Sequence, residues 1–396
     1  MLFPERAGPL LDAHRTLFRG AFAAANIFSW VIIFRILHLA TLELDLALMG
    51  TVALYALSNL ITLLLTPLAG HALRKGVRRS LTIGTMMAAL SMGIFTTLFL
   101  DTVSRDTAFW LMATFAVTHG MYRAIYWIPY RTTAAINNAK TRFSPLAETI
   151  IMLMPALAGY ALTTSNNGAL ILFSSATMTL IFAGLLLHDI PEHYESFNWS
   201  YLRTLRELCA RSNNTAIGLF ILDGIQGATL LILWPLAAFI LLNGSYIALG
   251  IVLSVILCIT HFSRHFFRDT RMRKKINESP RLTATIVFSS WIFRLAASAP
   301  IHVVLIDIFY GSSVTPRRFS IDHAAHEQHA DSGHYIDEYT AIKEMGLAVG
   351  KIVVSLLFVI LVLATSESLA FAAALFTAAL ASAWSVLISN KLQKVL

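Results

Sequence analysis

Four ionisable side chains stand deep inside strongly apolar stretches of this 396-residue chain: Arg123, Asp223, Asp307 and Lys351. At membrane depth each costs roughly 2.5–3.5 kcal/mol on insertion scales, so such groups face protein or a water-filled cavity. His119, Arg123, Trp127 and Tyr130 fall at i, i+4, i+8 and i+11, with Tyr126 beside them, and so share one helical face. That stripe suits a solute held by its anionic or polar group on Arg123 and stacked on the aromatics. The alternative is an arginine paired with a carbonyl or an aspartate, with the aromatics at the membrane interface. Asp223, with Gln226 one turn on, and Asp307, beside Tyr310 and Gly311, are carboxylates of the kind that bind a coupling proton. The alternative for them is a fixed ion pair, for which Lys351–Asp307 is the expected match, since their spans are neighbours in sequence. Lys351 itself shares a face with Glu344 and Ser355. Arg35 and Arg294 lie close enough to the outer ends of their spans for snorkelling to account for them.

Outside the spans, His323, His326 and His329 recur every third residue between Asp322 and His334, with carboxylates among them. Such a set can bind a transition metal or respond to pH. No cysteine joins it, and an inert solvated loop is the reading adopted, with no metal and no cofactor expected. There is no GxxxxGK[ST] loop, which argues against an ATP-driven pump, and no enzyme activity is expected.

The elements that must position these residues follow from composition. Hydrophobic residues make up 57% of the chain and charged residues only 13%, against about 25% in a soluble domain. The apolar residues fall in blocks of roughly 17–25, the length that crosses a bilayer core. Ten blocks are plain: 18–40, 46–68, 80–101, 107–130, 145–163, 168–188, 214–241, 245–262, 342–364 and 368–389. The stretch 281–317 splits at Ala299-Pro300 into two more, because proline disfavours helix in the residue before it. The expectation is an all-α integral membrane protein of twelve spans. No removable signal peptide is expected at its N-terminus.

The net charge of +8 might suggest nucleic acid, but the basic residues sit in short loops between the spans. With the N-terminus in the cytoplasm, twenty-five of the 30 Lys and Arg fall on the inner side, as the positive-inside rule requires. Both termini are therefore expected to be cytoplasmic, in the cell (inner or plasma) membrane. The chain also repeats weakly at an offset of about 197 residues, as in Arg78-Arg79 and Lys274-Lys275. This predicts two pseudo-symmetric six-helix bundles, 1–189 and 214–396. The linker between them, 190–213, has Trp199, Leu202, Leu205 and Leu208 on one side, which suits a short helix on the inner membrane surface or an ordered tether.

Six spans, a basic linker and six spans resemble a major facilitator superfamily transporter along nearly the whole chain. The family's loop between the second and third spans reads here Gly70-His-Ala-Leu-Arg74-Lys75-Gly76-Val77-Arg78-Arg79, with Arg74 where the family usually has aspartate. The resemblance implies a gating role for Gly70, Arg74, Arg78 and Arg79. It also implies that the first, fourth, seventh and tenth spans line a central cavity, near Arg123, Asp223 and Asp307. Met154-Pro155-Ala156-Leu157-Ala158-Gly159 in the fifth span half-matches a drug-antiporter signature.

The expected function is secondary transport of a small solute by alternating access, coupled to protons, by a monomer in contact with membrane lipids and with no nucleic-acid partner. Arg123 and Lys351 tilt the expectation towards an anionic or zwitterionic solute. The alternatives are efflux of amphipathic compounds; a transporter-like protein that senses, binds or moves lipid; and a metal exporter governed by the histidine loop.

Overall fold

The computed structural model describes residues 4–100, 103–136, 145–195, 197–210, 214–266, 279–311 and 336–395. Every regular element among them is helical. The long helices are α1 (Pro4–Thr41), α2 (Leu44–Ala72), α3 (Val77–Thr97), α4 (Arg105–Ile136), α5 (Pro145–Thr164) and α6 (Gly168–Leu185). A short α7 (Tyr201–Glu207) follows in the linker. Then come α8 (Asn214–Leu241), α9 (Tyr246–Phe266), α10 (Pro280–Ile292), α11 (Pro300–Gly311), α12 (Ile336–Ala364) and α13 (Glu367–Val395). The break expected within 281–317 is present: a 3-10 turn, Phe293–Ala296, ends α10, and α11 opens on Pro300. The histidine loop, and with it His323, His326 and His329, lies outside the described residues.

Eight of these helices are long and apolar enough to cross a membrane: α1, α2, α3, α5, α6, α8, α12 and α13. The other four fall short for identifiable reasons. The polar stripe of α4 dilutes its hydropathy, the apolar part of α9 is confined to Tyr246–Phe262, and α10 and α11 are short within the described residues. Leu60, Leu64 and Leu68 on α2, and Val353, Leu356, Ile360 and Leu363 on α12, are exposed in helical rows. Apolar rows of this kind are the faces a hydrocarbon solvent covers.

The packing repeats itself. Helix α1 packs on α5 and α6 as α8 packs on α12 and α13, and α3 packs on α6 as α10 packs on α13. The most extensive contacts between the front and back of the chain are α2 with α12 and α5 with α9, and α4 with α12 and α1 with α8 add smaller ones. At the α5–α9 crossing a Cβ on Gly159 would sit 2.4 Å from the Tyr246 carbonyl oxygen, and one on Gly250 would sit 2.3 Å from that of Pro155. Only glycine allows the backbones so close. Pro155 and Gly159, the half-matched fifth-span residues, therefore have a structural use here. Beside them the Ala156 amide donates to Ser254 Oγ of α9 at 2.9 Å.

Helix α8 carries a π-bulge at Thr229–Leu233, directly before Trp234-Pro235. Pro235 lacks an N–H and its ring crowds the carbonyl four residues back. The widened turn accommodates it and re-aims Trp234. The linker helix α7 is capped by Ser200, which accepts from the Arg203 amide, but its buried residue is Thr204, while Leu202 is 71% exposed. Trp199, just before it, packs against two apolar clusters, one holding Phe197, Ile128 and Ala341 and the other Phe220, Tyr339 and Ile342. This segment lies against α2 and α12.

Candidate functional site

Two buried polar groupings stand out. The first joins α2, α4 and α12. His119 is 2% exposed, with the edge of Trp30 5.8 Å away and Tyr122 at 4.9 Å. One turn further along α4, Arg123 lies beside Tyr55 of α2 and within electrostatic reach of Lys351 and Glu344 of α12. Tyr55, His119, Tyr122, Glu344 and Lys351 are all buried, whereas Arg123 in their midst keeps part of its surface accessible. His119 Nδ1 and Arg123 Nε are buried without hydrogen-bond partners. Glu344 is held from the other side by Arg131 of α4, at 3.3 Å.

The remaining aromatics of the α4 stripe are packed against protein. Tyr126 stacks on Phe18 of α1 at 4.1 Å and on Tyr130 at 5.4 Å, and its hydroxyl lies 3.2 Å from His14 Nε2. Trp127 meets Tyr126 and Tyr130 edge-on.

The second grouping joins α8, α10 and α11. Arg294 Nη2 lies 2.5 Å from Asp307 Oδ1, and Trp234 Nε1 donates to Asp307 Oδ2 at 2.8 Å. The guanidinium sits over the rings of Trp291 (4.4 Å), Tyr310 (4.6 Å) and Trp234 (5.3 Å). Arg294 is 2% exposed, so snorkelling does not describe it: it is an interior cation neutralised by a carboxylate and surrounded by π faces. The expected Lys351–Asp307 pair is likewise not formed, because α10, not α12, supplies the partner of Asp307. Asp307, Arg294, Trp234, Tyr310 and Ile27 of α1 line a cavity of about 270 Å³.

Asp223 points elsewhere. Ser385 of α13 donates to its Oδ1 at 3.0 Å and Gln226 Nε2 lies 3.4 Å from the same oxygen. The structure therefore gathers His119, Arg123 and Lys351, places Asp307 in a separate grouping, and sets Asp223 and Gln226 against α13.

The Gly70–Arg79 loop grips the linker. Arg74 donates to the Phe197 carbonyl from Nη2 (2.5 Å) and Nε (3.1 Å), and Gly70 lies under the Phe197 ring. Arg78 engages Glu192 through its amide (2.8 Å) and Nε (3.2 Å), while Arg79 is exposed. Gly76 has φ +123°, a conformation that favours glycine, and the Glu192 carboxylate lies 2.6 Å from where its Cβ would be. From α12, Glu338 accepts from the Asn198 amide at 2.8 Å. Sequence reasoning missed Arg294, Trp234, Tyr55 and Arg131. The available signals were a proline inside the eighth helix beside Trp234, and Trp291 three residues before Arg294.

Among solved structures, the chain superimposes on a D-xylose-proton symporter with a TM-score of 0.62 at 16% identity, covering 97% of each chain. The xylose transporter XylE from E. coli, partially occluded and inward-open, gives 0.62 at 14% identity over 98% of this chain and 99% of that one. The fold is the one that these transporters of known structure share. It extends to a peptide transporter of the POT type, with a TM-score of 0.61 at 11% identity over 98% of this chain and 95% of that one. No family model and no curated protein matches the sequence.

Proposed function

We propose that this chain is a secondary transporter that carries a small solute through the cell membrane by alternating access, driven by protons. The observation that carries the proposal is the packing of α2 and α4 against α12, which brings the buried Lys351 within electrostatic reach of Arg123. Charged groups of the front and back of the chain there face each other across the joint, where transporters built from repeats hold their substrate. The paired contacts support two halves: α2 with α12 and α5 with α9 are the same contact, second long helix on fifth, with the halves exchanged. The halves are 1–189 and 214–396, tethered by 190–213, with both termini in the cytoplasm. The neighbours in fold are described as a xylose-proton symporter and as xylose and peptide transporters.

Asp307 is the proposed proton site. Protonation would release Arg294, and a carboxyl lining a cavity is reachable from water. On the inner side, Arg131–Glu344 and the linker grip form the proposed gate. The test is uptake by proteoliposomes under an imposed pH gradient. Asp307→Asn should abolish accumulation while retaining solute exchange at equal pH, and Asp223→Asn, set against α13, should accumulate normally. Undiminished accumulation by Asp307→Asn would remove the proton role.

A further inference from the structure

We infer that the grouping on α2, α4 and α12 is a binding site for a small carboxylate, held between Arg123 and Lys351. This rests on the transporter reading and gives it a substrate class. The argument begins with charge. Arg123 and Lys351 lie close enough to repel each other, and among the described residues neither forms an ion pair. Glu344 is the one carboxylate in their electrostatic surroundings, and Arg131 already holds it at 3.3 Å. Arg131 and Glu344 offset each other, which leaves Arg123 and a protonated Lys351 without a carboxylate of their own among the described residues. A buried charge without a counter-charge is costly, and a bound carboxylate would supply one.

Hydrogen-bonding capacity points the same way. Arg123 Nε is buried with no acceptor. A guanidinium presents a planar fork that fits a carboxylate in two parallel bonds, while a lysine contributes a point charge. His119 Nδ1 is buried and unpartnered beside Arg123, and Ser355 Oγ, one turn from Lys351, is unpartnered as well. Groups of this type match the hydroxyl or carbonyl oxygens of a hydroxy- or keto-acid. Trp30, edge-on to both Tyr55 (5.2 Å) and His119 (5.8 Å), closes one side of the grouping with a rigid apolar wall. Lys351 is seated by Gly227 of α8, whose Cβ would lie 3.6 Å from Lys351 Cε. The ligand would therefore bridge the two halves by its charge.

The test measures binding and flux separately on the purified full chain. Succinate, lactate, inorganic phosphate, glucose and choline are titrated in detergent by thermal shift and calorimetry, and the same solutes are followed by counterflow in liposomes. Saturable binding of succinate or lactate is expected, weakened at least tenfold by Arg123→Gln and by Lys351→Gln and less by Arg123→Lys. Without ligand, both glutamine variants should melt at or above the wild-type temperature, since each removes an unpaired cation; this separates lost binding from lost fold. Phosphate binding as tightly as succinate would replace the carboxylate by a phosphate-type anion and overturn the class. Overturning results are also saturable binding of glucose or choline alone, carboxylate binding unchanged in both variants, or no carboxylate binding up to about 10 mM. Counterflow of a neutral solute without carboxylate binding sinks this inference and leaves transport standing. Carboxylate binding without flux of any solute keeps the site and removes the transport reading.

Discussion

The Arg294–Asp307 pair allows a quantitative test of what holds the back of the bundle together. Its two ends differ in exposure: the Arg294 side chain is fully enclosed, while that of Asp307 is 12% exposed towards the 270 Å³ cavity. Asp307→Asn leaves a guanidinium with no counter-charge among Trp291, Tyr310 and Trp234, and breaking a buried pair from one side costs about 3–5 kcal/mol. Arg294→Gln leaves a carboxylate that keeps the Trp234 hydrogen bond and some contact with water, so a smaller loss, about 2 kcal/mol, is expected. With both charges gone, the double variant should lie within about 2 kcal/mol of the parent, because paired neutral groups of similar size often substitute for a buried ion pair. The expected coupling is about 3 kcal/mol, near the 4 kcal/mol that Coulomb's law gives for unit charges about 4 Å apart at an effective dielectric of 20. Equilibrium unfolding in mixed detergent micelles gives each corner of the cycle. A loss below about 1 kcal/mol for Asp307→Asn, with no coupling, would mean that Arg294 reaches solvent and that the pair holds nothing.

Other consequences are as direct. Glu344→Gln should free Arg131 and loosen the inner contact of α4 with α12, speeding alkylation of a cysteine placed at Ser355 about tenfold, as a loss of about 1.4 kcal/mol implies; an unchanged rate would remove that pair from the gate. Gly250→Leu should lower stability by about 2 kcal/mol or more, since its Cβ meets the Pro155 carbonyl, whereas Gly218→Ala, with nothing within 4 Å, should be neutral or gain up to about 1 kcal/mol; thermal unfolding distinguishes them. Cys209 is exposed in the linker. In a Cys258→Ser background an impermeant maleimide should label it only after intact cells are opened; labelling from outside would invert the proposed topology.

The sequence revealed elements better than partners. Most helix limits were legible because a switch from apolar to polar residues marks them, although α1 begins at Pro4, well before the expected 18; the break between α10 and α11 was legible because Pro300 cannot continue the preceding helix. The α4 stripe was legible from its spacing, and His119 and Arg123 do lie together. What spacing cannot carry is which neighbour a face meets. Asp307 is answered by Arg294, thirteen residues earlier on a separate helix, and Asp223 by Ser385, 162 residues later. Trp234 reaches Asp307 only through a π-bulge, which shifts every following side chain around the helix and so defeats regular periodicity. Tyr126 belongs by spacing with Arg123, but Phe18 and His14, from α1, claim it.

Where α5 crosses α9, two glycines bring bare main chain against main chain. Ordinary helix contacts interlock through side chains, and sliding them means lifting each one out of its notch. A smooth crossing has no teeth to disengage, so the helices can tilt about it with their neighbours almost undisturbed. Such a spot would suit the pivot of the proposed alternating-access motion, which a bulky residue there would hinder as well as weakening the fold.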